Sequence, residues 1–152
     1  MTADTPDTPH IDAYVLDDQV GFILRQVSQR HTTLFAEIMA AATGDESLTP
    51  TQFAALAKLR QLGSCSQNEL GRETAMDAAT IKGVVGRLVG RGLVETWKDA
   101  GDARRLRVRL SDAGAALIAA AIPRAFAITD QTLSPLSDGE RATLLRLLRK
   151  LR

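Results

Sequence analysis

At 152 residues and 45% hydrophobic content, the chain is long enough for one domain with a buried core and too short for two ordinary domains. Its single cysteine excludes an internal disulfide framework and a cysteine-rich zinc site, which favours a cytoplasmic protein. The formal net charge of +1 hides an uneven distribution, so the local sign of the charge is more informative than the total.

The N-terminal stretch is acidic and rich in proline and threonine. Residues 1–18 carry five acidic residues and no lysine or arginine, whereas a signal peptide is basic and then apolar. We therefore expect a disordered leader over residues 1–16. Apolar residues then recur at helical spacing and predict a first helix over about 17–42. No uninterrupted run of about 18 apolar residues occurs, so no membrane partner is expected.

The middle of the chain contains three segments that begin with a helix-capping residue: Thr49, Ser66 and Asp77. Such side chains accept a hydrogen bond from an N–H of the first turn and so favour a helix start. The first of these helices should end near Gly63 and the third should span 78–91. Gly92 follows it and can take the left-handed conformation that stops a helix. A short turn around 74–76 joins the last two helices, which predicts a helix-turn-helix.

After Gly92 the spacing of apolar residues changes from that of a helix to every second residue, as in a strand. Residues 93–97 and 105–110 flank a turn that contains Gly101, and this is the pattern of a β-hairpin. Alternation places the leucine and valine side chains of the second strand on one face and its arginines on the other: Arg105, Arg107 and Arg109.

Two more helices follow the hairpin. Ser111 caps an alanine-rich helix that runs from Asp112 to about Thr132, and Pro123 should kink or split it. Ser137 opens a last helix that carries a broad leucine stripe.

These elements, in this order, predict a mainly α-helical protein with a small β-hairpin wing, an α+β winged helix-turn-helix. We assign residues 47–111 to the winged helix-turn-helix, and residues 17–46 and 112–152 to a helical dimerisation region, within one structural domain. The apolar helix surface in 116–122 and 144–151 exceeds what a small winged-helix core can cover. A homodimer is expected, because a second copy would cover that surface.

Positive charge is concentrated in the second helix of the helix-turn-helix and in the hairpin. Residues 82–109 contain eight basic and three acidic residues, and four of the arginines lie within 104–109. In a helix-turn-helix the second helix enters the major groove. The inward spacing of Ile81, Val85 and Leu88 leaves small, hydroxylated and basic residues on the opposite side. The candidate DNA contacts there are Ala79, Thr80, Lys82, Gly83 and Arg87, and Gly86 lies on the same side.

Further DNA contacts are expected at the preceding helix and at the hairpin. Exposed N–H groups of Ser66 and Gln67 would suit a backbone phosphate. Arg104 or Arg105, near the hairpin tip, would enter the minor groove, where the negative potential is enhanced. Asp102 would orient Arg104 through an ion pair. The later arginines of the hairpin would meet phosphates or acidic groups of the protein itself: Arg107 and Arg109.

Structural explanations of the same charges stay open at this point. Lys82 and Arg87 are also typical of a merely solvated helix face, and an arginine-rich strand also protects a sheet edge from aggregation. Edge protection does not need four guanidinium groups in six residues, so the whole pattern predicts nucleic-acid binding. A winged helix used only for protein contact is the rival function, and it would lack the steep salt dependence of DNA binding.

Three segments resemble, in order and spacing, the helix-turn-helix and wing of the MarR family of bacterial transcriptional regulators: LTPTQFAALAKL, SQNELGRETAMDAATIKGVVGRLVGRGLVE and DAGDARRLRVRLSDAG. The resemblance covers about residues 48–114. Gly86 departs from it, because relatives often have an acidic or polar residue there. The resemblance implies a nucleoid-associated homodimeric repressor, built from the first and last two helices, that binds an inverted-repeat operator in double-stranded DNA.

Regulators that resemble this family often release DNA when a small phenolic or aromatic acid fills the cleft between the dimerisation helices and the winged region. His31 and Arg25 are the candidate ligand-binding residues, because an imidazole can donate to a carboxylate or a ring hydroxyl. The alternative is a histidine satisfied in the core or dimer interface, with Arg25 as a salt-bridge partner. DDQVGFILRQVSQRH and ATIKGVVGRL resemble the subgroup that represses nicotinate degradation, which implies a hydroxylated nicotinic acid as effector.

Redox sensing and catalysis are the remaining alternatives. Some relatives sense peroxide through a cysteine near the start of the first helix, whereas Cys65 lies in the GSCSQ turn and favours the role of a small apolar filler, although a helix N-terminus can lower a thiol pKa. Neither His10 nor His31 has a neighbourhood that suggests a metal ligand or nucleophile, and no phosphate-binding glycine loop follows a strand. We expect no catalytic residue, no metal and no cofactor.

Overall fold

The computed structural model describes residues 11–43 and 47–152. Over these residues the chain is mainly α-helical with a small antiparallel sheet, which confirms the predicted fold class. In chain order the elements are α1 (Val20–Thr43), α2 (Pro50–Leu62), β1 (Ser64–Ser66), α3 (Gln67–Glu73), α4 (Ala78–Gly90), β2 (Val94–Lys98), β3 (Leu106–Leu110), α5 (Asp112–Thr132) and α6 (Asp138–Lys150).

The described part of the expected leader contains local structure. Ile11–Ala13 and Leu16–Asp18 each form a short 3-10 turn, and the N–H of Tyr14 donates to the Ile11 carbonyl at 3.2 Å. Such bonds form between near neighbours in the chain and need no hydrophobic core. The leader expected over residues 1–16 thus contains a turn at Ile11–Ala13 in its described part, and residues 1–10 lie outside the described residues.

Each of the predicted capping residues accepts a hydrogen bond from the backbone N–H three residues later: Thr49 at 3.3 Å, Ser66 at 3.2 Å and Asp77 at 2.7 Å. The bond from the Thr80 N–H holds the pKa of the Asp77 carboxyl below its usual range. Gly63 and Gly92 follow α2 and α4 with φ of 76° and 68°, a region that glycine enters without steric cost. The sequence therefore places the helix boundaries of this region correctly.

A strand that the sequence analysis does not predict completes the sheet. β3 pairs with β1 on one side and with β2 on the other, and both pairings are antiparallel. Cys65, expected in a turn, lies in β1 opposite Val108, and both side chains are buried. Three residues are too few to show alternation, so only the pairing with β3 defines this strand. The predicted hairpin faces are confirmed, since Val108 is buried and Arg109 is exposed.

The core of the winged-helix lobe, residues 47–111, lies beneath α4. Ile81, Val84 and Leu88 are at most 1% exposed and belong to the buried core, in which α4 contacts α2, α3 and β2. Burying a large aliphatic side chain stabilises a fold by about 1.5–3 kcal/mol. This burial fixes which side of α4 faces inward, and so it also fixes the side that faces solvent.

The end of α4, the end of the hairpin and the start of α5 meet at one point, which we call the junction. The Ser111 hydroxyl donates to the Gly92 carbonyl at 2.6 Å and accepts from the Gly114 N–H at 3.0 Å. The N–H of Ser111 donates to the Leu93 carbonyl at 3.1 Å. A Cβ on Gly114 would overlap the Leu93 carbonyl oxygen and lie 2.9 Å from its carbon. Glycine is therefore required for this approach.

α5 connects the winged-helix lobe to α1. It runs unbroken through Pro123, which does not split it, and it lies against both α1 and α2. Among the described helices α5 is long and apolar enough to cross a membrane by length and composition. Its Ile118, Ala121 and Ile128 nevertheless belong to the protein core. The expected dimer surface over 116–122 is thus wrong for Ile118 and Ala121, because the chain buries them itself.

α1 and the C-terminal segment expose a set of large apolar side chains, which we call the α1–α6 apolar surface. None of the described residues of α6 is buried, although its leucines form a stripe. Water contact with so much apolar area is unfavourable. The members of the surface are Val20, Ile23, Leu24, Val27, Leu145, Leu147, Leu148 and Leu151.

We predict that Gly114→Ala lowers the free energy of unfolding by about 3 kcal/mol, because the new methyl group must displace the Leu93 carbonyl. Gly90→Ala is the matched control, since a Cβ there meets nothing within 4 Å, and it should be neutral or stabilising by about 0.5–1 kcal/mol. Urea unfolding at one fixed protein concentration measures both. Equal stability of the two variants would show that the junction tolerates a side chain.

Candidate nucleic-acid interface

The outer face of α4 presents the residues that the sequence predicts. Ala79, Thr80, Lys82, Gly86 and Arg87 are exposed, and Gly83 is half-buried. The guanidinium of Arg87 extends along α4 toward Gly83, where a Cβ would lie 3.5 Å from its Nη1. Small side chains allow close approach to a duplex, and the hydroxyl and cationic groups can bond base edges or phosphates.

The start of α3 differs from the sequence-based expectation at Ser66. This residue is 5% exposed, and its N–H donates to Glu69 Oε2 at 3.4 Å while its hydroxyl accepts from the Glu69 N–H. The capping box that starts α3 therefore uses the N–H group that a phosphate would have needed, which opposes the predicted phosphate contact at Ser66. Gln67, the first residue of α3, is half-buried.

The arginines of β3 are held by partners in the protein. Arg107 Nη2 donates to Ser64 Oγ at 3.0 Å, and its Nε lies 4.0 Å from Asp99. Arg109 pairs with Glu95 at 2.7 Å, and its guanidinium lies 5.3 Å from the centre of the Trp97 ring. The sequence analysis left phosphates or acidic groups of the protein as the partners of Arg107 and Arg109, and the structure pairs both arginines with acidic groups of the protein.

The arginines of the hairpin tip have no such partners. Arg104 and Arg105 are exposed and make no ion pair or side-chain hydrogen bond within the part of the chain that the structure describes, and the same holds for Lys82 and Arg87 on α4. A cation without an internal partner keeps its charge available to an external anion. Four such cations lie on the two elements that a winged helix-turn-helix directs at DNA.

Asp102 shapes the hairpin tip in another way than predicted. Its carboxylate accepts a hydrogen bond from the backbone N–H of Arg104 at 3.0 Å, and no ion pair joins the two side chains in the described structure. Asp99 likewise accepts from the Gly101 N–H at 2.9 Å. Aspartate side chains commonly close turns by bonding the backbone two residues on. Asp102 therefore bonds the backbone of Arg104 and not its guanidinium, which is where the sequence analysis placed the ion pair.

His31 lies between two clefts. The α1–α2–α5 cleft, of about 200 Å³, has His31, Phe35, Pro50, Phe53, Ala125, Ile128 and Thr129 as its lining. The α1–α5–α6 cleft, of about 390 Å³, is lined by His31 and nine other residues, among them Leu24, Thr132 and Leu148. The predicted position of His31 beside a cleft is thus found. Arg25 is exposed and lines neither cleft, so the structure does not bring the two candidates together.

Sequence reasoning missed the aromatic side chains of the smaller cleft. The rings of Phe35 and Phe53 meet edge to face with centres 5.9 Å apart. They come from α1 and α2, and no local pattern marks two apolar residues of different helices as neighbours. Their edge-to-face contact forms an apolar wall suited to a planar ring.

Cys65 is placed as a structural residue. It is 2% exposed, and burial raises the pKa of its thiol, to which the nearby Glu69 carboxylate adds. The thiolate is the reactive form, so both effects disfavour reaction with peroxide. The geometry therefore opposes the redox alternative.

Comparison with known proteins gives consistent matches. Residues 48–106 match the MarR family. The chain is 43% identical over 149 residues to the HTH-type transcriptional repressor NicR of Pseudomonas putida, covering 97% of this chain and 92% of the relative. Two solved structures are also similar. A probable transcriptional regulator from Pseudomonas aeruginosa is 54% identical with a TM-score of 0.83, and the match covers 91% of this chain and 100% of the other. Bordetella bronchiseptica BpsR, whose DNA binding is regulated by 6-hydroxynicotinic acid, is 38% identical with a TM-score of 0.84, and the match covers 91% of this chain and 96% of the other.

We predict that Arg104→Ala weakens specific DNA binding by about 1–3 kcal/mol, because it removes an unpaired cation from the hairpin tip. Arg109→Ala removes the same charge from the same hairpin, but from a side chain already paired with Glu95, so its effect should be smaller. Fluorescence anisotropy at several salt concentrations measures both affinities and their salt slopes. Unchanged affinity in Arg104→Ala, or equal losses in both variants, would contradict the assignment of the tip.

Proposed function

The chain belongs to the MarR family, and we propose that it acts as a homodimeric repressor that a small aromatic acid releases from its operator. Like its relatives it is a transcriptional regulator, and it binds double-stranded DNA sequence-specifically. One observation carries the DNA-binding mode: α4 and the hairpin tip together present four exposed cations that have no ion-pair or side-chain hydrogen-bond partner among the described residues. They are Lys82, Arg87, Arg104 and Arg105.

The outer face of α4 enters the major groove in this proposal, and the hairpin tip reaches the adjacent minor groove. Thr80, Lys82 and Arg87 then contact base edges or phosphates, with Ala79 and Gly83 allowing close approach and the N–H of Gln67 meeting a phosphate. Arg104 or Arg105 enters the narrow groove. A regulator of this kind works in the cytoplasm, bound to the nucleoid.

The α1–α6 apolar surface supports the homodimer. The chain cannot bury the leucine stripe of α6 by itself, since none of the described α6 residues is buried. A second copy presents the same surface, and a two-fold interface joins one surface to itself. Two copies of α4 then face the duplex together, which suits an inverted repeat.

A selection of bound sequences from a random DNA pool tests the DNA-binding proposal. We predict an inverted repeat whose half-sites are centred about one helical turn, roughly 34 Å, apart. Sedimentation of the complex should give two chains for each operator, and affinity should fall steeply with salt. A single half-site bound by one chain would refute the dimer. Binding to no duplex at low salt would instead favour a winged helix that contacts protein.

The α1–α2–α5 cleft supports the proposal of an aromatic effector. It lies between two dimerisation helices and the first helix of the winged-helix lobe, and Phe35 and Phe53 give it apolar walls. His31 supplies a polar group there, which is the composition typical of a small-molecule site. The regulation of BpsR by 6-hydroxynicotinic acid points to the same class of effector, a hydroxylated pyridine carboxylate.

A chain of contacts leads from this cleft to α4. Pro50 and Phe53 line the cleft from the first turn of α2, and Gln52 lies between them in sequence. Gln52 is buried, and its Oε1 accepts a hydrogen bond from Arg91 Nη1 at 3.2 Å, just beyond the end of α4. Arg91 also donates to the Ser47 carbonyl at 3.1 Å. In this proposal an effector that displaces the start of α2 acts on α4 through these hydrogen bonds and so weakens DNA binding.

We predict that Ala125→Leu makes the operator complex insensitive to 6-hydroxynicotinic acid, because the longer side chain occupies the 200 Å³ cleft. Operator affinity without effector should stay within about threefold of the wild type, since Ala125 is on neither DNA-binding element. Ala113→Leu is the control, as Ala113 is exposed on the same helix, lies outside the dimer surface expected over 116–122 and lines neither cleft. Release that is equally efficient in both variants would place the effector elsewhere.

A further inference from the structure

The hydrogen bond between His31 and Thr132 determines which nitrogen of the imidazole carries the proton. His31 Nδ1 lies 2.9 Å from Thr132 Oγ1, and that hydroxyl lies 2.7 Å from the carbonyl oxygen of Ile128, one turn earlier in α5. A threonine hydroxyl has one proton to donate, and a carbonyl oxygen can only accept. The proton therefore points at Ile128, because otherwise two oxygens would face each other at 2.7 Å with no hydrogen between them.

This geometry leaves the Thr132 oxygen as the acceptor of the His31 bond. Nδ1 must then carry the hydrogen, and in a neutral imidazole the other nitrogen, Nε2, is an acceptor. Nε2 has no hydrogen-bond partner among the described residues. Thr132 lines only the α1–α5–α6 cleft, whereas His31 lines both clefts. The residues that line the two clefts with His31 carry no carboxylate and no other ionisable side chain.

We propose that Thr132 is a positioning residue that holds His31 as a hydrogen-bond acceptor, and that the effector is selected for a hydroxyl or ring N–H that donates to Nε2. This inference rests on the proposed effector function and specifies its chemistry. A carboxylate does not suit the same position while the imidazole is neutral, because its oxygens would then face the lone pair of Nε2. The carboxylate of an aromatic acid therefore lies away from His31, with the hydroxyl-bearing edge of the ring toward it.

The tautomer can be measured without any effector. Nitrogen-15 NMR in alkaline buffer distinguishes a ring nitrogen that carries hydrogen from one that does not, and His10→Gln removes the signals of the chain's other histidine. We expect Nδ1 to be protonated and Nε2 to be bare in the wild type and in Thr132→Ser, which keeps the hydroxyl. Thr132→Val keeps the shape but loses the oxygen, and its spectrum should shift toward protonated Nε2. A wild-type spectrum with protonated Nε2 would overturn the proposal.

Effector selectivity provides the second measurement. 6-Hydroxynicotinate has a hydroxyl or ring N–H that can donate a hydrogen bond, and 6-methoxynicotinate has neither. Calorimetric titration of each compound into the wild type, Thr132→Ser and Thr132→Val gives the ratio of the two affinities for each protein. Any steric cost of the methyl group is common to the three proteins, so a change in the ratio reports the hydrogen bond. We expect the ratio to fall by about fivefold to tenfold in Thr132→Val and to be retained in Thr132→Ser, as one hydrogen bond predicts.

The outcomes separate this inference from the effector proposal. An unchanged ratio in Thr132→Val, with 6-hydroxynicotinate still bound, would refute the role of Thr132 and leave the effector proposal standing. If neither compound binds the wild type, the proposed effector class and the selection inferred from it are both refuted.

Discussion

The position of the DNA-binding elements depends on how closely α5 approaches the junction. Carbonyl groups of Gly92 and Leu93, directly after α4, accept hydrogen bonds from Ser111, directly after the hairpin. The backbone of Gly114 then lies against the Leu93 carbonyl in a space that admits no side chain. Because α4, the hairpin and α5 are fixed at one point, a displacement of α5 relative to its neighbours also displaces the two elements that face the duplex.

The sorting of arginines explains how a chain with a net charge of +1 presents a cationic surface. The arginines of β3 are neutralised by Asp99 and Glu95, which belong to the same hairpin and contribute to the acidic total. Those at the tip make no ion pair among the described residues: Asp99 lies beside Arg107, and Asp102 bonds the backbone N–H of Arg104. Short-range geometry thus decides which charges are cancelled, and composition alone does not reveal it.

The features that the sequence predicts are those set by neighbours along the chain. Caps at Thr49, Ser66 and Asp77, the left-handed Gly92 and the faces of β3 follow from rules that span a few residues. These rules do not determine the partners of polar groups: in the structure the N–H of Ser66 bonds Glu69, and the carboxylate of Asp102 bonds the N–H of Arg104.

Features that depend on distant pairing could not be predicted. β1 exists only through β3, and the clefts beside His31 are formed by helices that are far apart in the sequence. The choice of His31 itself follows from its place on an apolar stripe, whereas its bond to Thr132 spans 101 residues. A histidine beside a cleft is thus within reach of sequence reasoning, but the direction of its hydrogen bond is not.

The contact between Arg109 and the chain's only tryptophan allows the hairpin to be followed by intrinsic fluorescence. Trp97 is 39% exposed, carries the guanidinium over its ring, and lines neither cleft beside His31. Indole emission is sensitive to nearby charge and to water, so a duplex that approaches the hairpin would alter it. The unlabelled protein therefore contains a fluorophore that reports events at the wing separately from events in the clefts.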